Sequence, residues 1–192
     1  MNKIKMIVGL GNSVYKYNQT RHNVGFWYIN MLSSFYKTSL KFKKKFSGYV
    51  SSFFLNNNKI FLLKPDLFMN LNGYSVFALS SFYKIKLSEI LVVRDELDLS
   101  PGILKVKYGI GHNGHNGVKS IINTFEKKKP FIQLCIGIGR PEFKKNVSNF
   151  VLECPSKIDT INIKKAILKF IFLTKDYIYK KEFLKNKKII LI

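Results

Sequence analysis

The chain has 192 residues, a length suited to one α/β domain, and 46% of them are hydrophobic and 15% aromatic. Folding at this size buries roughly 70% of the unfolded chain's surface, so wholesale disorder is excluded. Lys+Arg number 33 against 11 Asp+Glu, a net charge of +22 that points to a polyanionic partner. Codon usage is a second source of the same basicity. Every basic residue except Arg21, Arg94 and Arg140 is lysine, and Asn, Ile, Phe and Tyr are abundant too, as A/T-rich coding favours. Cys135 and Cys154 form no CxxC pair and are too few for a disulfide scaffold, which implies a reducing compartment. The N-terminal apolar run is shorter than a secretory core, and no stretch approaches the ~18–20 apolar residues of a membrane span. The expectation is a cytoplasmic protein with no membrane partner.

In chain order, Ile4–Leu10 reads as a buried strand feeding a loop at Gly11-Asn12, and Val24–Phe35 has helical spacing. The basic stretch Lys41–Lys45 precedes two strands, Ser47–Leu55 and Lys59–Leu63, joined by a hairpin at Asn56-Asn57-Asn58 and closed by Pro65. Met69–Tyr83 is apolar at helical spacing. Glu89–Val93 is a buried strand ending at Asp95, and Ile103–Lys107 another strand after the Pro101-Gly102 turn. A glycine-rich loop from Gly109 to Gly117 leads to a helix over Val118–Phe125, then a strand over Phe131–Ile138. An amphipathic helix over Asp159–Tyr179 trails into Lys180–Lys188. Alternating strands and helices with a central hairpin predict an α/β fold. Its sheet is mixed and mostly parallel, with helices on both faces. The domain is single over residues 1–192, with a basic C-terminal segment at about 180–192.

Gly109-Ile110-Gly111-His112-Asn113-Gly114 matches GxGxxG between a strand and a helix. The next strand ends near Gly137-Ile138-Gly139 without an acidic residue where a ribose would be held, so the dinucleotide fingerprint is incomplete and no cofactor is expected. His112 and His115 are three apart, but glycines surround them, and a third ligand would have to be Asp95 or His22. No metal site is expected. His22 is different. In an open α/β sheet the crevice lies where strands end and loops begin. Asp95 and the glycine loop both follow strands, so His22 and Asp95 can share a cleft with several amides. A proton-transfer pair among amides favours hydrolysis over metal or cofactor chemistry.

Four blocks in order carry a resemblance: Gly11-Asn12 with Tyr17 through Thr20-Arg21-His22-Asn23; Lys64-Pro65 with Phe68-Met69-Asn70 and Gly73; Asp95-Glu96-Leu97-Asp98-Leu99; and Gly114-His115-Asn116-Gly117. The chain resembles the bacterial peptidyl-tRNA hydrolases, esterases that free tRNA from prematurely released peptidyl-tRNA. The resemblance implies that His22 is the general base activating water and that Asp95 orients it. It implies that Asn116 steadies the oxyanion, and that Tyr17, Phe68, Asn70 and Asn116 bind substrate. Asn12 would distinguish a blocked from a free amine, with Met69, His115 and Lys107 in support. The partner it implies is peptidyl-tRNA, gripped at its acceptor end by Lys105 and Lys107 at the edge of the cleft, on a monomeric enzyme. Several positions depart from the family's pattern. Cys135 stands where an arginine usually joins Lys107 on the 5′ phosphate, leaving Arg140 or another lysine to compensate. Ser13-Val14 replaces Pro-Gly, and Ile110 and Asn113 replace glycines. An alternative of a different class is a basic RNA-binding protein that keeps the fold without catalysis. It predicts binding without turnover, and the intact His22, Asp95, Asn12, Asn70 and Asn116 set argues against it.

Overall fold

The computed structural model describes residues 3–125, 129–143, 146–174 and 188–190. The strands are β1 (Met6–Gly9), β2 (Lys41–Lys43), β3 (Gly48–Leu55), β4 (Asn58–Pro65), β5 (Ile90–Glu96), β6 (Ile103–Gly109), β7 (Phe131–Gly137) and β8 (Lys188–Ile190). They form one sheet in the order β2-β3-β4-β1-β5-β7-β6-β8. The central strands β4, β1, β5 and β7 are parallel to one another. Only β3 and β6 run against the rest, so the sheet is mixed and mostly parallel.

The helices are α1 (Val24–Phe35), α2 (Asn72–Phe82), α3 (Asn116–Thr124), α4 (Val147–Val151) and α5 (Lys157–Thr174). Successive strand residues point to opposite faces, and here both faces are covered. Ile7 of β1, Leu91 and Val93 of β5 and Leu134 of β7 pack with α1 and α5. Met6 and Val8 of β1 and Ile90 and Val92 of β5 pack with α2 and α3. This double burial is why the central strands read as unbroken apolar runs.

Close approach of α1 to β1 sets the depth of the site. A Cβ on Gly9 would lie 2.0 Å from the Gly25 carbonyl oxygen, and one on Gly25 would lie 2.4 Å from the Leu10 carbonyl oxygen. With both glycines in place, the 3-10 turn Arg21–Asn23 that opens α1 sits at the C-terminal ends of β1 and β5.

Several expected boundaries move. β5 runs on past Val93 to Glu96, so Asp95 is a strand residue. The hairpin is tighter than expected: Asn56 and Asn57 take left-handed conformations, and Asn58 already belongs to β4. The helix expected from Met69 begins as a 3-10 turn, Met69–Leu71, and becomes α-helical at Asn72. β2 was not foreseen, because Lys41, Phe42 and Lys43 are all exposed and carry no apolar alternation. α4, five residues long, was too short for a period to register. α5 is described to Thr174; the expected end at Tyr179 and residues 180–187 lie outside the described residues. No helix among the described residues is long and apolar enough to cross a membrane.

Candidate active site

The C-terminal ends of the parallel strands face a cavity of about 370 Å³, lined among others by His22, Asp95, His115, Asn116 and, from α4, Val147 and Val151. His22 enters it from the 3-10 turn. That turn is strapped to α4: Arg21 Nη1 donates to the Phe150 carbonyl at 3.0 Å, and its guanidinium lies 3.9 Å from the Phe150 ring centroid. Asp95 enters from the end of β5, and His115 and Asn116 from the start of α3.

One carboxylate oxygen organises the cavity. Asp95 Oδ1 lies 2.9 Å from His22 Nδ1 and 2.9 Å from His115 Nε2. The two imidazole rings are 4.9 Å apart between centroids. His115 Nδ1 accepts from the Gly117 and Val118 amides at 3.1 and 3.3 Å, so its ring caps α3 and its proton sits on Nε2, donated to Asp95. With both nitrogens engaged, His115 has no free lone pair. His22 uses Nδ1 on Asp95 and leaves Nε2 for the cavity.

The charges follow from these contacts. Burial raises and the two histidines lower the Asp95 carboxyl, and the histidines win, holding it well below the usual carboxylate range. Burial lowers His22, but the charge and hydrogen bond of Asp95 outweigh it, so the imidazole titrates above its ordinary value. For His115 burial prevails over Asp95, and the ring is held below its ordinary value. His22, Asp95 and His115 are also a set of potential metal ligands whose donor atoms lie within 4.8 Å of one another. Here both histidines aim at the carboxylate oxygen at hydrogen-bond distance, and His115 Nδ1 is spent on α3, an arrangement suited to sharing protons.

Two buried side chains not singled out from the sequence hold these loops. Asn23 Oδ1 accepts from the Asn12 amide at 2.7 Å and its Nδ2 donates to the Asn12 carbonyl at 3.0 Å, while Asn12 Oδ1 accepts from Val14 at 3.1 Å. The loop after β1 is therefore fixed despite Ser13-Val14, with Asn12 Nδ2 outside those bonds. Asn72 Oδ1 accepts from the Gly11 amide at 3.1 Å and its Nδ2 donates to the Phe68 carbonyl at 2.9 Å. Both asparagines stand inside motif blocks, which was the available signal. Arg94 was missed as well. It is 1% exposed and donates to Gln133 Oε1 at 3.0 Å, to the Asp95 carbonyl at 2.6 Å and to Glu96 Oε2 at 2.8 Å. Its signal was an arginine within an apolar strand, directly before Asp95.

The remaining predicted residues lie around the cavity, not in its wall. Asn12, Tyr17, Phe68 and Asn70 sit on the loops after β1 and β4, at the same end of the sheet. Phe68 is 57% exposed, whereas Tyr17 is half-buried. Met69 does not line the cleft: it is buried in the α2–α3 core, its Sδ only 2.6 Å from where a Cβ on Gly117 would stand. That close packing against Gly117 leaves it no access to the cavity. Lys107 is half-buried on β6, its Nζ 3.3 Å from the Gly111 carbonyl. Cys135 is fully buried between Arg94 on β5 and Lys105 on β6. Arg140 is engaged by Asp98, with Nε 3.1 Å from Oδ1.

The glycine loop is not a dinucleotide site, since β6 and β7 on either side of α3 are antiparallel and the dinucleotide unit needs parallel strands. Asn113, at one of the family's glycine positions, adopts a left-handed conformation, which asparagine tolerates better than most residues.

The family model described as peptidyl-tRNA hydrolase matches residues 6–188. A peptidyl-tRNA hydrolase of Buchnera aphidicola subsp. Acyrthosiphon pisum (strain APS) is 52% identical over 163 residues, covering 85% of this chain and 92% of the relative. That of Proteus mirabilis (strain HI4320) is 48% identical over 167 residues, covering 87% and 86%. The crystal structure of peptidyl-tRNA hydrolase from Acinetobacter baumannii superposes with a TM-score of 0.86 at 39% identity, covering 91% of this chain and 88% of that one. By sequence and by fold, this chain belongs to the peptidyl-tRNA hydrolase family.

Proposed function

We propose that His22 is the general base in the hydrolysis of peptidyl-tRNA that family membership assigns to this enzyme. The supporting observation is the 2.9 Å contact between His22 Nδ1 and Asp95 Oδ1, which leaves Nε2 as the lone pair in the cavity. Nε2 takes a proton from water as the water oxygen bonds to the ester carbonyl carbon that joins the peptide to the terminal ribose. Asp95, held ionised, keeps the tautomer and balances the imidazolium as it forms. The tetrahedral oxyanion is steadied by Asn116, at the positive end of α3. Collapse breaks the bond to the ribose oxygen, which takes the proton back from His22, releasing tRNA and a free peptide acid. An aminoacyl ester is already activated, so no protein nucleophile is required.

Asn12 and Asn70 grip the substrate beside the scissile bond. With Asn12 Oδ1 committed to Val14, its Nδ2 is the donor offered, and only a blocked amine carries an amide carbonyl to accept from it. An unsatisfied contact of this kind costs ~1–3 kcal/mol. His115 acts through its cap on α3 and its bond to Asp95, and Met69 supports the site from the core beneath Gly117. Phe68 and Tyr17 offer ring faces to the acceptor end, and Lys105 and Lys107 offer charge to its phosphates. We place the enzyme in the cytoplasm as a monomer of one domain, consistent with two free cysteines.

The test is single-turnover hydrolysis of an N-blocked aminoacyl-tRNA beside the unblocked ester, in chelator, with wild type and His22→Ala. Fast cleavage of the blocked ester alone, reduced on the order of 10²–10⁴-fold or more by the substitution, is expected. Binding by wild type without cleavage overturns the assignment in favour of a non-catalytic RNA-binding protein.

A further inference from the structure

The flank of the sheet beyond α2 carries charge and rings that the hydrolysis does not use. β2 and the turn after it present Lys41, Lys43 and Lys45, and β4 presents Lys59, all exposed. Among the described residues none of the four is in an ion pair. The chain has no acidic residue before Asp66, so no carboxylate on the first four strands opposes this field. Lys41, Lys43 and Lys59, with Ser39, Ser52 and Tyr83, line a groove of about 290 Å³.

Tyr83 lines the groove, and the Phe82 ring stands against it at 4.9 Å between centroids. Phe82 and Tyr83, at the end of α2, are 58% and 41% exposed. Tyr83 stacks on Phe61 at 4.1 Å, and Lys45 Nζ lies 3.7 Å from the Phe82 ring centroid. Codon drift adds lysine and phenylalanine wherever they are tolerated. It does not account for lysines, hydroxyls and half-exposed rings meeting at one groove.

We propose that this groove binds single-stranded RNA, with phosphates on Lys41, Lys43 and Lys59 and a base against Phe82 or Tyr83. A basic groove beside exposed aromatic faces is the arrangement that holds unpaired strands, because only unpaired bases can offer their faces for stacking. A duplex would use the lysines and leave the rings idle. The groove is also separate from the catalytic cleft. It shares no lining residue with that cavity, and its strands β4, β3 and β2 lie two to four spacings from β5, about 10–19 Å at ~4.8 Å each, so an ester seated at His22 does not occupy it. The RNA is either an unpaired loop of the same tRNA or a separate strand.

The test measures binding of a short fluorescent oligoadenylate to the full chain over a range of salt, with two variants. In Lys41→Glu/Lys43→Glu/Lys59→Glu, affinity falls and the slope of log affinity against log salt drops by about 2, from roughly 0.7 per lost phosphate contact. In Phe82→Ala, with charge intact, affinity falls roughly fivefold or more while the slope is unchanged. Both variants keep wild-type kcat on N-blocked aminoacyl-tRNA, which reports that they fold. A raised KM for that substrate in the lysine variant assigns the strand to the tRNA's own loops, and an unchanged KM assigns it to a separate RNA. Oligoadenylate affinity and slope unchanged in both variants overturn the proposal. Capture by phosphatidylglycerol vesicles that oligoadenylate does not compete overturns it in favour of an acidic membrane surface.

Discussion

Asp95 Oδ1 takes two histidines at the same distance, yet their other nitrogens make them different groups. His115 is fixed by the α3 amides and titrates below its ordinary value; His22 leaves Nε2 free for the cavity. Because the Asp95 charge raises His22 against the opposing pull of burial, the base is protonated and idle at low pH. Activity should therefore rise with pH through an apparent pKa above the ordinary ~6.5 of imidazole. In Asp95→Asn the raising influence is gone and burial remains, so the acid limb of kcat/KM moves to lower pH while kcat falls sharply. A pH–rate profile of that variant with its limb unmoved would remove Asp95 from this role. The motif blocks made His22 and Asp95 readable. The part played by His115 was not, because it depends on which ring nitrogen meets the helix amides, and that is set by folding.

Among the elements, α1 matters most for aim, since it carries the turn that holds His22. Its contact with β1 runs through Gly9 and Gly25, and a Cβ on Gly25 would stand 2.4 Å from the Leu10 carbonyl oxygen and 2.7 Å from the Val93 carbonyl oxygen. Gly25→Ala must push α1 off the sheet, at a cost of roughly 1–3 kcal/mol. The expected result is a lower urea midpoint together with a loss of kcat at full folding, because His22 shifts relative to Asp95. An unchanged midpoint would mean that the helix yields freely. Long elements with a clear period or an unbroken apolar run, α1, β4 and β7 among them, were legible to within a few residues. β2 was not, being wholly exposed, and neither was α4, a single turn and a half whose place depends on Arg21 and Phe150.

Across the whole molecule, the excess of lysine meets few acids, and the proposed grip on the 5′ phosphate depends on where charge ended up. Cys135 supplies none. Arg94 stands beside it in register but spends its guanidinium on Gln133, Asp95 and Glu96, and Arg140 is engaged by Asp98. Burial, then the nearby Arg94 charge, lowers the pKa of Lys107. The enzyme should thus turn over with a loose hold on the acceptor end. Removing the 5′ phosphate from an N-blocked aminoacyl-tRNA is expected to raise KM by less than about tenfold with kcat intact, as for loss of a single phosphate contact. A large rise in KM would show that the grip is complete despite Cys135.

The amino-acid sequence alone determined the class of fold, through apolar runs and periods that follow from burial on one or both faces of an element. It also carried the four spaced blocks by which the family is recognised, and with the family the proposed roles of His22 and Asp95. The tertiary structure alone decided which side chains share the cavity. Met69 went to the core while Phe68 stayed in solvent, one residue apart, and His115 became a cap as well as a partner of Asp95. It also signed the shift of His22, whose value is a contest between burial and a carboxylate from a strand 73 residues away in the chain. Burial and distance are properties of the packed chain, and no local pattern carries them.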